Sequence, residues 1–171
     1  MQFKRWLVEI FEVPSLWYHG SNVLFDRIEN QKGSVVHSLG EEDVVINRPL
    51  FFSKSPAFAK LNGKYVYRCN LSVKKLFDHK VLWDDSVDSQ WEDDHYTALA
   101  VEMYEHFIPK GDYSQFINGI IRGDWDVMEK PAIVHWIWSK GFDAFSVTGD
   151  GEENIAIKSS KQVSNFEVLN Q

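Results

Sequence analysis

SLWYHGS, residues 15–21, begins as a strand and ends as something else. Leu16 to His19 carry the apolar and aromatic side chains of a strand that is at least half buried. Then come a histidine, a glycine and a small hydroxyl, Ser21. A histidine offers directional ring nitrogens, and a glycine leaves the amide and carbonyl beside it uncovered, so the pair suits a grip on a sugar hydroxyl and a flat carboxamide.

Outward from this stretch, strand and helix signals follow one another without a regular repeat. Upstream, Phe3, Trp6, Leu7, Ile10 and Phe11 recur at helical spacing and predict an N-terminal helical segment within residues 1–13, which Pro14 stops. Downstream, Leu50 to Ser53 reads as a second strand, and SPAFAKLNG (55–63) as a short helix with Ser55 as cap, Pro56 at its first position and Gly63 just past its end. KYVYRCNLSV (64–73) alternates Tyr65, Tyr67, Cys69, Leu71 and Val73 against more polar partners, the pattern of a half-buried strand.

Residues 79–140 read as mostly helical. Tyr96, Leu99, Ala100, Met103 and Phe107 make one stripe, Phe116, Ile117, Ile120 and Ile121 another, and IVHWIWSKG (133–141) closes a third helix on Gly141. Strands return at FDAFSVT (142–148), NIAIK (154–158) and NFEVL (165–169). This order predicts a single α+β domain over residues 1–171.

Composition narrows the functional classes. Twenty-five acidic against eighteen basic residues give a net charge of −7, which disfavours generic nucleic-acid binding, because a phosphate backbone would be repelled. The single cysteine, Cys69, forms no internal disulfide, points to a reducing compartment, and reads as core. The N-terminal apolar stretch is broken by Glu9 and lacks a small-residue cleavage site, so neither a signal peptide nor a membrane span is expected, and the location expected is the cytoplasm of its own or a target cell.

No Rossmann turn, phosphate loop or nucleophile elbow occurs in the sequence. Six scattered histidines and one cysteine do not make a zinc pattern, and no metal is expected. Asp84, Asp85 and Asp88 have a spacing that would suit a divalent cation, but a solvated loop or helix start explains such an acidic run more simply.

Three chemistry-bearing pieces remain, all at strand ends: YHGS (18–21), PLFFSKSPAFA (49–59) and GDGEENIAI (149–157). In this order they resemble the ADP-ribosyltransferase fold of the His-Tyr-Glu type, the branch of poly(ADP-ribose) polymerase and diphtheria toxin, and are similar to small transferase domains of phage and bacterial effectors. The resemblance implies a split β-sheet core with an N-terminal helix and a helical middle insertion. It implies NAD+ as substrate, with His19 on the adenosine ribose, Gly20 and Ser55 holding the nicotinamide amide, and Phe51 and Phe58 stacking on its ring. Ser21 completes the first motif among the NAD+-binding residues, and Glu153 is the catalytic group.

In this family's chemistry a carboxylate stabilises the oxocarbenium-like ribose as the nicotinamide bond breaks. Phe51 stands where the family has tyrosine, and Glu152, Glu153 and Asn154 all lie where the last motif strand begins, Glu153 giving the best match. Gly151 stands where arginine-directed relatives carry a second acidic or amide residue, so an arginine acceptor is not supported. The expected activity is mono-ADP-ribosylation of an intracellular macromolecule, protein rather than nucleic acid. The alternatives are NAD+ hydrolysis, with water as acceptor, and a catalytically lapsed protein-binding module.

Overall fold

A computed structural model describes residues 16–30, 34–36, 44–46, 48–79, 106, 119–120, 122–149 and 151–169. The expected N-terminal helix, the stripe from Tyr96 to Phe107 and the acidic run around Asp84 lie outside the described residues.

Nine strands are described: β1 (Trp17–Ser21), β2 (Ser34–Val36), β3 (Val44–Ile46), β4 (Leu50–Ser53), β5 (Tyr65–Leu71), β6 (Leu76–Phe77), β7 (Ala144–Gly149), β8 (Glu152–Ile157) and β9 (Val163–Val168). Helices with both ends among the described residues are α1 (Pro56–Leu61), α2 (Trp125–Met128) and α3 (Pro131–Ser139). Seven strands form one mixed sheet in the order β6-β7-β8-β4-β1-β5-β9, while β2 and β3 pair as a separate antiparallel ribbon. Among the described residues, the β6–β7 pairing is the parallel one in the large sheet.

The α+β class expected from the sequence is therefore what is found, but the strands expected as a split sheet are hydrogen-bonded into one. The joint is narrow. β1 meets β5 over five residue pairs, from Trp17↔Cys69 to Ser21↔Tyr65, yet it meets β4 at Tyr18↔Ser53 alone. Past that pair the two strands separate, and the space between them has to be filled by side chains.

Side-chain alternation along β8 explains why its sequence is a continuous apolar run. Ile155 and Ile157 join one buried cluster with Trp17, Leu50, Phe52 and Cys69, whereas Ala156 joins the other, with Phe145, Val147 and the apolar face of α3. Strand β5 departs from the simple alternation expected, because Val66 is buried as well as Tyr67 and Cys69. α1 packs across β1, β4 and β5 and covers that second face.

α1 is built as its sequence predicts: Ser55 Oγ accepts the Phe58 amide at 3.2 Å and Pro56 fills the first position. Gly63 does follow the helix end, but its need for glycine lies elsewhere: a Cβ there would come within 2.1 Å of the Ser21 amide nitrogen. Gly141, after α3, has φ +80°, the left-handed turn its position implies.

Candidate functional site

The seam where β1 parts from β4 is where four of the sequence-predicted residues, His19, Gly20, Phe51 and Phe58, meet. His19 fills it. Its Nδ1 lies 2.8 Å from the Phe51 carbonyl oxygen, which only accepts, so Nδ1 carries the proton and Nε2 is left as the ring's acceptor. Burial pushes the His19 pKa below the ordinary 6.5, with the Phe51 carbonyl opposing in part, so the ring is neutral at physiological pH.

Two cavities border this residue. The smaller, about 80 Å³, is a slot bounded by Gly20, Phe51, Phe58, Trp125 and Asn154, with Tyr18, Ser53 and Asn62 also contributing. The larger, about 540 Å³, is an open cleft lined among the described residues by Arg48, Pro49, Leu50, Asp126, Glu129, Lys130, Pro131 and Val134. His19 and Phe51 belong to both. A cleft of this volume is within the usual range for small-molecule sites.

Each wall of the slot has a local cause. Phe51 stacks on Trp125 with ring centroids 4.3 Å apart and meets Phe145 edge-on, so its ring is held on the face that α2 covers. Phe58 reaches the slot from the first turn of α1, which the Ser55 cap fixes. Gly20 is required by packing, since a Cβ would lie 1.9 Å from the Ala59 carbonyl oxygen. The close approach of α1 to β1, which this glycine permits, forms the floor of the slot.

Register assigns the faces. Ser53 pairs with Asn154 and Phe51 with Ala156, which places Phe51, Ser53 and Asn154 on the slot face, while Phe52, Ile155 and Glu153 alternate to the other. His19 also alternates away from Gly20 and packs against Phe52, centroids 5.4 Å apart. Glu153 is half-exposed at the open end of β8, and its carboxylate takes the Lys54 ammonium at 2.8 Å. His19 and Glu153 thus share one face of the sheet, the ring slot lies on the other, and the seam joins the two.

Of the predicted residues, His19, Gly20, Phe51 and Phe58 line the slot together. Ser55, Ser21 and Glu153 are not among the residues lining it. Ser55 Oγ is engaged as the cap of α1, and Ser21 Oγ accepts the Val23 amide at 3.1 Å in the turn after β1. Ser53, 3% exposed, is the serine the slot does include.

Trp125, Asn62 and Arg48 were not foreseen: Asn62 ends α1 and Arg48 precedes β4, while Trp125 reaches the site only through tertiary packing. Asn154 stood in the sequence as one of three candidates for a single position. Its Nδ2 donates to the Glu152 carbonyl at 3.1 Å, and its Oδ1 is buried without a hydrogen-bond partner. Among the described residues no cluster of potential metal ligands occurs, and no helix is long and apolar enough to cross a membrane.

Comparison with known proteins adds little to this geometry. No family model matches the chain, and no curated protein matches it. A solved structure described as the crystal structure of an anti-CRISPR protein shares 13% identity and a TM-score of 0.46, over 90% of this chain and 94% of that one. At that level of similarity it assigns neither fold family nor activity.

Proposed function

We propose that the chain binds NAD+ across the β1–β4 seam and transfers its ADP-ribose to a macromolecular acceptor. The observation that carries this proposal is the meeting of His19, Gly20, Phe51 and Phe58, distant in sequence, around one aromatic slot that opens at His19 into a larger cleft. The single-pair joint between β1 and β4 also supports an ADP-ribosyltransferase-like core, in which two blocks of strands diverge around the ligand.

On this proposal the pyridine ring enters the slot between Phe58 and the Phe51–Trp125 stack. The nicotinamide ribose follows at the seam, and His19 Nε2 is a neutral acceptor for a hydroxyl of the adenosine ribose. Arg48 at the cleft rim offers charge to the diphosphate. Glu153, on the His19 face, would accept the ribose 2′-hydroxyl and offset the positive charge that develops as the glycosidic bond breaks. Lys54 holds that carboxylate in place through their ion pair.

Nicotinamide leaves with the bonding electron pair, and the acceptor nucleophile attacks the opposite face of the ribose. The proton released by the nucleophile passes to a base or to solvent. Incubation with NAD+ labelled in the adenosine moiety, in a cell lysate, tests this. Label on macromolecules is expected from the wild type, and Glu153→Gln should lower turnover by about 10²–10³-fold while NAD+ binding stays within about threefold. Free ADP-ribose without labelled macromolecule would make the chain a hydrolase, and unaltered turnover in Glu153→Gln would remove Glu153 from its role.

A further inference from the structure

We propose that Asn62–Gly63 is a modification site, at which Asn62 loses its side-chain amide spontaneously and the resulting aspartate or isoaspartate loosens the end of α1 from β1. The modification needs no bound ligand and stands apart from the NAD+ reading.

Glycine after asparagine is the least hindered case for attack of the following main-chain nitrogen on the side-chain amide carbon, because no Cβ crowds that nitrogen. Packing fixes the glycine here: a Cβ on Gly63 would stand 2.1 Å from the Ser21 amide nitrogen. The close approach of α1 to the end of β1 therefore keeps the susceptible pair in the chain. Asn62 is exposed at the C-terminal end of α1, and the Gly63 N–H reaches the Lys60 carbonyl at a long 3.5 Å. A bond of that length in a terminal helical turn opens at little cost and frees the nitrogen to attack.

In the reaction the Gly63 nitrogen bonds to Asn62 Cγ and gives up its proton, and the Cγ–Nδ2 bond breaks as ammonia leaves, closing a cyclic imide. Water then breaks one of the imide C–N bonds. Cleavage at Cγ leaves aspartate, and cleavage at the main-chain carbonyl leaves isoaspartate, whose chain runs on through the side chain. Ammonia is released, water is consumed and nothing is oxidised. The loss matters because Asn62 Nδ2 donates to the Phe58 carbonyl at 3.0 Å, giving a partner to an oxygen at the end of the helix. A carboxylate has no proton to give there, and it sets negative charge against that oxygen and against the C-terminal end of α1. Isoaspartate also lengthens the main chain where Gly63 has no spare room against Ser21. Phe58 and Asn62 both border the aromatic slot, so the change falls on its wall.

Peptide mapping by mass spectrometry tests this on the full chain held in mildly alkaline buffer. Chymotryptic cleavage at Phe58 and Tyr65 separates Asn62 from Asn118, which also precedes a glycine. In the folded chain the Asn62 peptide should exchange ammonia for water and contain isoaspartate, at a rate no more than about tenfold below that of the guanidinium-unfolded chain. An Asn62 peptide that stays unmodified in the folded chain while the unfolded chain converts would overturn the site. Asn62→Asp installs one product directly and should lower the melting temperature by about 2–4 °C, as should ageing of the wild type. If Asn62→Asp and the aged wild type both melt as the fresh wild type does, the loosening of α1 is overturned. The mapping uses the wild type and stands even if Asn62→Asp fails to fold.

Discussion

The molecule holds two described histidines at strand junctions, and they differ in what their rings leave over. His79 follows β6 and is 5% exposed. Its Nδ1 lies 2.7 Å from Ser146 Oγ and its Nε2 3.1 Å from Thr148 Oγ1, while Ser146 donates to Asp78 at 2.8 Å. A Cβ on Gly123 would come within 2.6 Å of that ring. Both nitrogens are engaged within the protein, and the ring fastens the β6 edge to β7. His19 spends one nitrogen on the Phe51 carbonyl, keeps the other as an acceptor, and borders two cavities. Burial alone does not separate a structural histidine from a binding one; the unspent hydrogen-bonding capacity does.

The largest expected effect would come from the saturated ring. His79→Ala leaves Ser146 and Thr148 short of a partner and opens a cavity beside Gly123, so it should cost about 3 kcal/mol of stability, read by chemical denaturation. The molecules that remain folded should bind NAD+ as the wild type does. A stable His79→Ala that lost NAD+ binding would erase the distinction between the two rings.

His19→Phe keeps a ring against Phe25 and Phe52 but removes both nitrogens. It should weaken NAD+ about tenfold and cost only about 1 kcal/mol of stability, for the Phe51 carbonyl left without its donor. Calorimetry and denaturation on one preparation would show both effects. The smallest effect is in pH. Since the folded His19 pKa lies below 6.5, the unfolded chain binds more protons between the two values. The His19 contribution to stability is therefore flat above pH 6.5, falls as pH drops below it, and levels off below the folded pKa. His19→Phe should show a shallower acid loss than the wild type, and identical slopes would argue that His19 is not neutral in the folded chain.

Much of the fold was legible because local rules decided it. The Ser55–Pro56 start of α1, the left-handed Gly141 and the strand at residues 154–158 follow from capping, turn chemistry and strand patterning. His19, Phe51 and Phe58 border one slot; Phe51 and Phe58 come from β4 and α1, which are adjacent in sequence, whereas His19 comes from β1, which a long connection separates from β4. What was illegible is what arrives from far along the chain. Trp125 stacks on Phe51 across more than seventy residues, and no periodicity encodes that partner. The choice among Glu152, Glu153 and Asn154 needed the register with β4, since a shift of one residue exchanges the faces. Gly20 was read as freeing backbone for a ligand, and in the fold its missing Cβ first of all admits α1.

The central claim, that NAD+ lies across the β1–β4 seam, is tested most directly by nuclear magnetic resonance of the isotopically labelled chain titrated with NAD+. The side-chain signals of His19, Phe51, Phe58 and Trp125 should shift together along one binding curve, while those of His79, Ser146 and Thr148 stay still. Saturable binding that moves the β6–β7 edge and leaves the seam unchanged, or no binding at all, would contradict it.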